Sequence, residues 1–154
     1  MRRRTQSGLT LVELIVAFTI MLILTTMAVP LARSKVRAQR ERELRADLLE
    51  MRHAIDKYKD FNDAGYLGAI KADTFGYPES LDILVDGVKL NGPDGKKIRF
   101  LRRIPVDPFT GKAEWGQRSA QDDFDAASWG GQDVFDVYSK TNDKDASGTP
   151  YSQW

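Results

Sequence analysis

The chain has 154 residues, with 23 lysines and arginines against 22 aspartates and glutamates, and its formal net charge is +1. This length suits one globular domain with a short additional segment. The balanced charge argues against the basic surface that nucleic-acid-binding proteins present, so no nucleic-acid partner is expected. The sequence contains no cysteine, which predicts a fold without disulfides.

The N-terminal region combines a basic tip with a long uncharged run. Arg2, Arg3 and Arg4 come first, and residues 14–32 contain no charged side chain. A run of about 20 apolar residues can cross a bilayer, and arginines before it favour a cytoplasmic N-terminus. A secretory signal peptide has a shorter apolar core, of about 7–15 residues, and a small-residue cleavage site that residues 27–33 do not offer. An ordinary signal anchor stays open as an alternative.

Glu13 is the one carboxylate beside this run. A charged side chain deep in a bilayer costs on the order of 2.5–3.5 kcal/mol. Neither a signal peptide nor a plain anchor accounts for that cost, although the side chain could reach the membrane interface. We therefore expect Glu13 to have a function.

The segment Gly8-Leu9-Thr10-Leu11-Val12-Glu13 resembles the processing signal of type IV pilin-like precursors, which include type IV pilins and type II secretion pseudopilins. The resemblance implies a leader of residues 1–8 and cleavage by a prepilin peptidase between Gly8 and Leu9, where glycine leaves the bond unhindered. It also implies N-methylation of Leu9 and an assembly role for Glu13, which would approach the new amine of a neighbouring subunit. The family usually has Phe where this chain has Leu9.

An amphipathic pattern follows the uncharged run. Five apolar residues recur at spacings of four, three, four and three, which is helical: Leu44, Leu48, Met51, Ile55 and Tyr58. The polar segment 62–65 is a helix stop signal. The sequence predicts one helix from Leu9 to about Phe61, with a hydrophobic transmembrane and assembly part at 9–32 and an amphipathic part at 33–62.

Pro30 lies inside this predicted helix. Proline removes one backbone hydrogen bond and clashes with the carbonyl four residues earlier, so a kink or helix break is expected. The resemblance further implies that the segment before this proline can lose helical form in an assembled filament. The hydroxyls of Thr25 and Thr26 could then bond carbonyls that become free.

Residues 63–154 read as turns and short strands. Residues 91–95 form a turn cluster, and segments 97–102 and 134–139 favour strands. Prolines make segment 104–111 extended or turned, and 77–85 is a turn followed by a short helix or a strand-like connector. Two or three antiparallel strands packed on the apolar stripe would give an α+β head.

Four segments of this region look like the major, or G-type, pseudopilins of type II secretion. They are Tyr77-Pro78, Ile104-Pro105-Val106-Asp107-Pro108, residues 129–139 and residues 148–154. This resemblance implies an α+β, type IV pilin-like fold, with a long N-terminal helix (membrane-spanning stem plus amphipathic half) packed on a small antiparallel β-sheet head without disulfides. It implies a structural subunit of a periplasmic helical filament that drives export of folded proteins across the outer membrane.

The same resemblance implies the partners and the location. The partners would be further copies of the chain, the prepilin peptidase, minor pseudopilins, an inner-membrane assembly platform with its cytoplasmic ATPase, and the membrane. The chain would cross the inner membrane once, with a cytoplasmic N-terminus and a periplasmic head. A type IV pilin building a surface fibre for adhesion or motility is the nearest alternative. A membrane-anchored periplasmic binding or enzymatic domain is a further one.

A calcium site is a secondary hypothesis. Asp143, Asp145 and Ser147 place oxygen side chains at alternate positions before Gly148, as at the start of a calcium loop, although the later bidentate Glu is absent. Many G-type pseudopilins bind calcium in this region, which implies Asp143 and Asp145 as ligands. Ordinary turn chemistry is the alternative. The acidic segment 122–125 is interpreted as a solvated loop.

No catalytic group of residues emerges from the sequence, so we do not expect an enzyme. The single histidine, His53, lies off the apolar stripe and is predicted to be at the surface. Trp115, Trp129 and Trp154 are predicted to be packing residues.

Overall fold

The computed structural model describes residues 10–68, 72–93 and 95–154, with the backbone alone at 27–32 and 72. Gly8 and Leu9, the predicted cleavage site, lie outside the described residues. The chain divides into two compact units, one ending at Gln39 and the other comprising Arg40–Trp154. The predicted boundary between membrane and head segments at residues 32 and 33 stays a prediction.

The first helix, α1, runs over Leu11–Asp63 and contains 53 residues. Its N-cap is Thr10, whose carbonyl accepts the Leu14 N–H at 3.1 Å and whose Oγ1 accepts the Glu13 N–H at 3.3 Å. A threonine followed three residues later by glutamate is the pattern of a capping box. The helix therefore has a local start signal in the same residues that carry the predicted processing motif.

The end of α1 also follows local chemistry. Gly65 has φ +73°, and the N–H of Tyr66 donates to the carbonyl of Phe61 at 3.0 Å. A glycine in the left-handed region, with a hydrogen bond reaching back over it, is a common helix C-terminus. The stop predicted at 62–65 is confirmed.

The predicted apolar stripe of α1 forms the core of the second unit. Its five members are all buried, with exposures of 0–4%, and His53 on another face is exposed. They pack against buried residues from the rest of this unit, namely Leu67, Leu81, Leu84, Leu101, Trp115, Val134, Val137 and Tyr151. Helix α1 thus supplies one side of the hydrophobic core of the head.

The head contains one further α-helix and two small sheets. Helix α2 covers Leu81–Asp86, so the segment predicted as helix or connector is helical at its end. Strands β1 (Val88–Lys89) and β2 (Lys97–Ile98) pair antiparallel, as do β3 (Trp115–Arg118) and β4 (Asp136–Ser139). Two 3₁₀ turns, Ala72–Thr74 and Tyr151–Gln153, complete the described elements. The α+β, pilin-like architecture is confirmed.

Both segments predicted as strands contain a strand, but each strand is shorter than predicted. The strand predicted over 97–102 is only two residues long, because the N–H groups of Phe100 and Leu101 donate to the carbonyl of Leu84 instead of to a neighbouring strand. The strand predicted over 134–139 begins at Asp136. Strand β3, reading Trp-Gly-Gln-Arg, was not predicted at all.

Candidate functional site

The start of α1 presents Glu13 in the first helical turn, and its side chain is exposed. A carboxylate in this position is stabilised by the positive end of the helix dipole. Only the backbone N–H of Glu13 is used by the cap on Thr10. Its carboxylate can therefore make a contact with another molecule without breaking the cap.

Over residues 11–24, the helix of the first unit presents apolar side chains on every side. Eleven large hydrophobic residues between Leu11 and Leu24 are 45–76% exposed. A helix with no polar face is normally covered on all sides by protein or lipid. Within the described residues, no helix combines the length and the apolar character needed to span a membrane.

Three threonine hydroxyls in this part of α1 bond back to their own helix. Thr19 Oγ1 donates to the Ile15 carbonyl, Thr25 Oγ1 to that of Met21 and Thr26 Oγ1 to that of Ile23, at 2.7–2.8 Å. Such bonds remove the polar cost of a hydroxyl on an apolar surface. Pro30 has no N–H to donate to the Thr26 carbonyl. The hydroxyls of Thr25 and Thr26 bond other carbonyls, those of Met21 and Ile23, which lie nearer the N-terminus.

Helix α1 continues past Pro30 to Asp63, so Pro30 does not end it. The kink and the loss of helical form in a filament stay predictions.

In the head, two of the four segments that resemble G-type pseudopilins are joined by a hydrogen bond. Asp107, from the proline-aspartate-proline turn, is fully buried, and its Oδ2 accepts the Ser139 hydroxyl of β4 at 2.6 Å. Its Oδ1 accepts the Phe109 N–H at 2.8 Å, which closes the turn. The turn and the strand therefore form one hydrogen-bonded unit beside the core.

The predicted calcium loop is ordered around Asp145. Its Oδ1 accepts the N–H and hydroxyl of Ser147 and the N–H of Thr149, at 2.6–2.9 Å. The Ser147 hydroxyl is the largest cause that lowers the pKa of Asp145, and the two N–H groups add to it. Burial opposes them, but the pKa still lies below its usual range. Asp143 is exposed, and its carbonyl accepts the Tyr151 N–H at 3.2 Å. Among the described residues, no group of three or more His, Cys, Asp or Glu side chains is arranged to hold a metal.

The acidic segment 122–125 is more structured than predicted. Asp122 Oδ2 accepts the N–H groups of Ser119 at 2.7 Å and Gly130 at 3.0 Å, and these bonds lower its pKa. The segment is an accessible loop, as predicted, in which Asp122 is held by the backbone while Asp123, Phe124 and Asp125 are exposed. Bonds from Asp122 to residues three and eight positions away give no periodic signal in the sequence.

The tryptophans behave differently from one another. Trp115 is buried and its Nε1 donates to the Pro105 carbonyl at 2.9 Å, while Trp154 packs against the core. Trp129 is 41% exposed, and its Nε1 donates to the Asp133 carbonyl at 2.7 Å. The prediction of a packing role is wrong for Trp129, whose indole mainly holds a loop.

Comparison with known proteins decides the family. A family model described as the prokaryotic N-terminal methylation motif matches residues 3–29. Type II secretion system core protein G of Pseudomonas aeruginosa is 30% identical over 135 residues, which cover 84% of this chain and 87% of the relative. The chain belongs to the type II secretion system core protein G family.

Other members of the core protein G family agree. The protein of that name from Aeromonas hydrophila is 30% identical over 116 residues, 71% of each chain. That of Klebsiella michiganensis is 29% identical over 150 residues, 93% of this chain and 88% of the relative. No solved structure matches the sequence. The resemblance to major pseudopilins is confirmed, and the chain is a pseudopilus structural subunit.

Two arginines that sequence reasoning missed hold the head of this pseudopilin together. Arg52 on α1 binds the Asp136 carboxylate at 2.6 Å and the Trp154 carbonyl at 2.7 Å. Arg118 on β3 is buried, donates to the Ser152 carbonyl at 3.0 Å and stacks 4.1 Å from the centre of the Tyr138 ring. Charged residues in a polar stretch are usually solvated, so only the tertiary structure reveals this role.

Proposed function

We propose that this pseudopilin polymerises into a helical filament in the periplasm and that growth of the filament drives export of folded proteins across the outer membrane. The observation that carries the proposal is the first unit of the fold. It pairs a methylation motif with a helical segment, residues 11–24, whose large apolar side chains are exposed, and the head buries its own apolar stripe. In a filament, the exposed apolar side chains would be covered by those of neighbouring subunits.

The processing steps follow from the same segment. Cleavage between Gly8 and Leu9 by the prepilin peptidase would remove Arg2, Arg3 and Arg4 and create a free amine at Leu9, which is then methylated. The exposed carboxylate of Glu13 would pair with that amine on a neighbouring subunit. In a medium of low dielectric constant, such an ion pair is strongly coupled, and the unpaired charge is penalised.

We place the chain in the inner membrane as a single-pass protein. The uncharged run at 14–32 supplies about the length that a bilayer requires, and the basic tip favours a cytoplasmic N-terminus. The head would then be periplasmic. Digestion of the head by protease added to intact spheroplasts, together with its protection in inside-out membrane vesicles, tests this orientation.

Minor pseudopilins, the inner-membrane assembly platform and the prepilin peptidase are the other partners we propose, with no nucleic-acid partner and no catalytic activity. The names of the relatives do not favour a type IV pilin that forms a surface fibre, nor an anchored binding domain. If fibres could be sheared from the cell surface at ordinary expression levels, that result would support the alternative of a surface type IV pilin.

Glu13→Gln is the sharpest test of the assembly role. Glutamine keeps the size of the side chain, and the cap uses only the backbone N–H of residue 13, so the start of α1 is preserved while the charge is lost. We expect normal membrane insertion and leader cleavage, but a large loss of filaments and of secretion. Cross-linking in the membrane, together with an assay of exported protein, measures both.

Glu50→Gln provides the matched control, because it removes the same charge from an exposed position in the head half of α1. Its filaments and secretion should resemble those of the unmodified chain. Undiminished assembly of the Glu13→Gln chain would contradict the role given to Glu13.

We also propose calcium binding at Asp143 and Asp145. The ionised carboxylate of Asp145 and the exposed one of Asp143 are oxygen ligands of the kind calcium prefers. A chelator should then lower the melting temperature of the purified chain and leave that of the Asp143→Asn variant unchanged. Equal melting temperatures with and without chelator in the unmodified chain would remove the site.

A further inference from the structure

A groove lies on the head where the C-terminal segment packs beside α1, and we call it the Trp154 groove. It has a volume of about 310 Å³ and is lined by Arg45, Leu48, Leu49, Arg52 and Trp154. Two leucines and an indole ring give it an apolar floor, and Leu49 is 56% exposed. The groove can therefore take up an apolar side chain from another molecule.

The two arginines give the edge of the groove a positive charge. The charge of Arg52 is compensated, because its guanidinium forms an ion pair with Asp136 at 2.6 Å. The Arg45 guanidinium lies 4.2 Å from the centre of the Trp154 ring. An aromatic ring attracts a cation but does not neutralise it. The groove thus suits an apolar side chain that is accompanied by a carboxylate.

The connection between β3 and β4 offers a side chain of this kind. Phe124 is 83% exposed, more than any other large hydrophobic residue that the structure describes. Asp123 and Asp125, on either side of it, are exposed as well. The preceding residue, Asp122, is held by two backbone N–H groups, which ties down the start of this loop. We call residues 123–125 the Phe124 loop.

A second copy of the chain is the occupant that these features favour. Phe124 is too exposed to fill the groove of its own chain. The Phe124 loop and the Trp154 groove are different surfaces of the head with opposite charge, and every copy carries both. A contact between two different surfaces repeats from copy to copy, and it gives an open helical series when the rotation does not close. A filament requires a contact of this type.

We propose that Phe124 of one subunit enters the Trp154 groove of a neighbouring subunit, with Asp123 and Asp125 facing Arg45. The buried ring supplies the anchor of the contact, and the charges fix its orientation and its partner. The inference rests on the proposed filament. It adds a contact between heads to the contacts between stems in which Glu13 takes part.

Photo-cross-linking tests this contact in the full chain. A benzophenone analogue of phenylalanine in place of Phe124 keeps an aromatic ring at the position and reacts with whatever lies beside it. On irradiation of membranes from secreting cells, we expect a ladder of cross-linked copies, with the cross-link mapped by mass spectrometry to residues 45–52 or Trp154. The same analogue in place of Phe75, which is 59% exposed, is the matched control and should not reach the groove.

A charge exchange separates the contact from a structural role of the arginine. Arg45→Glu should lower the cross-linking yield at least about fivefold, because it faces carboxylates with a carboxylate. Asp123→Lys together with Asp125→Lys in the same chain should restore the yield, which a head damaged by loss of the stacking on the indole ring could not do. Asp86→Lys with Glu114→Lys makes the same charge change at exposed positions elsewhere and should restore nothing. The amount of exported protein measures the same variants without the analogue.

Several results would overturn the inference. In cells where the unmodified chain forms filaments and secretes, they are a lack of cross-links to a second copy, cross-links to another surface or another protein, and a product that stops at the dimer. Failure of the charge exchange to restore both cross-linking and secretion would also overturn it. The proposed function would stand in each of these cases, whereas it would fail if the unmodified chain formed no filaments.

Discussion

Asp47 is one acidic residue on α1 that contributes to the pH dependence of the head's stability. Its side chain is half-buried, and burial raises the pKa of its carboxyl, with Glu50 and Glu43 adding to the rise and Arg103 opposing it. The folded state therefore holds this proton more tightly than the unfolded state. Stability from this group is present at low pH and is lost as pH rises from about 4 through the raised folded value.

Asp47→Asn should remove this pH-dependent cost. We expect the variant to be slightly more stable than the unmodified chain at pH 7, by about 0.5 kcal/mol or less, and the two should converge below pH 4. Thermal melts at a series of pH values measure the difference. Asp56→Asn, at an exposed position of the same helix, is the control. A variant less stable than the unmodified chain at pH 7 would contradict the stated cause.

Gly116 governs the β3–β4 pair at the scale of the element. It lies opposite Tyr138 in the antiparallel register, and a Cβ atom there would come within 2.2 Å of the tyrosine ring. The ring thus covers the glycine and is itself covered by the Arg118 guanidinium. Glycine usually weakens a strand, and here the cross-strand ring supplies the packing that its own side chain cannot.

Gly116→Ala should therefore destabilise the head by about 1–3 kcal/mol, as overpacking in a filled site does. The tyrosine ring would have to move and lose its stacking on Arg118. Chemical denaturation of the purified chain gives the difference in unfolding free energy. Gly92→Ala is the matched control, because a Cβ atom there meets nothing within 4 Å. Equal stability of both variants would show that the ring is free to move.

How far each element could be predicted depends on where its signal lies. Helix α1 has its cap, apolar period and stop in its own sequence, so its extent was predicted to within two residues at either end. Strand β3 was missed because Trp-Gly-Gln-Arg lacks strand formers beyond its first residue. Its partners are Tyr138 and the residues around it, which lie about twenty positions later.

The candidate sites divide in the same way. The motif around Glu13 is continuous in the sequence, so the sequence alone predicts it. The roles of Arg52 and Arg118 depend on partners from distant segments, and no local pattern marks them. Asp107 and Ser139 were each noted within separate motifs, but only the fold shows that they bond to each other.

At the scale of the whole molecule, the two units differ in how they bury their apolar side chains. The head closes its own core, and its C-terminal segment is held on α1 by Tyr151, whose hydroxyl donates to Glu41 at 2.7 Å, and by Arg45, which lies 4.2 Å from the Trp154 ring centre. The first unit leaves its apolar side chains exposed. The core of the head therefore does not depend on what covers the apolar side chains of the first unit.

The intact mass of the membrane-extracted chain, from cells with and without the prepilin peptidase, tests most directly that the N-terminus is matured for assembly. We expect the loss of residues 1–8 and the gain of one methyl group on Leu9 only when the peptidase is present. An unprocessed chain in both strains, or one cut after the apolar run, would contradict the assignment of the N-terminus as an assembly signal.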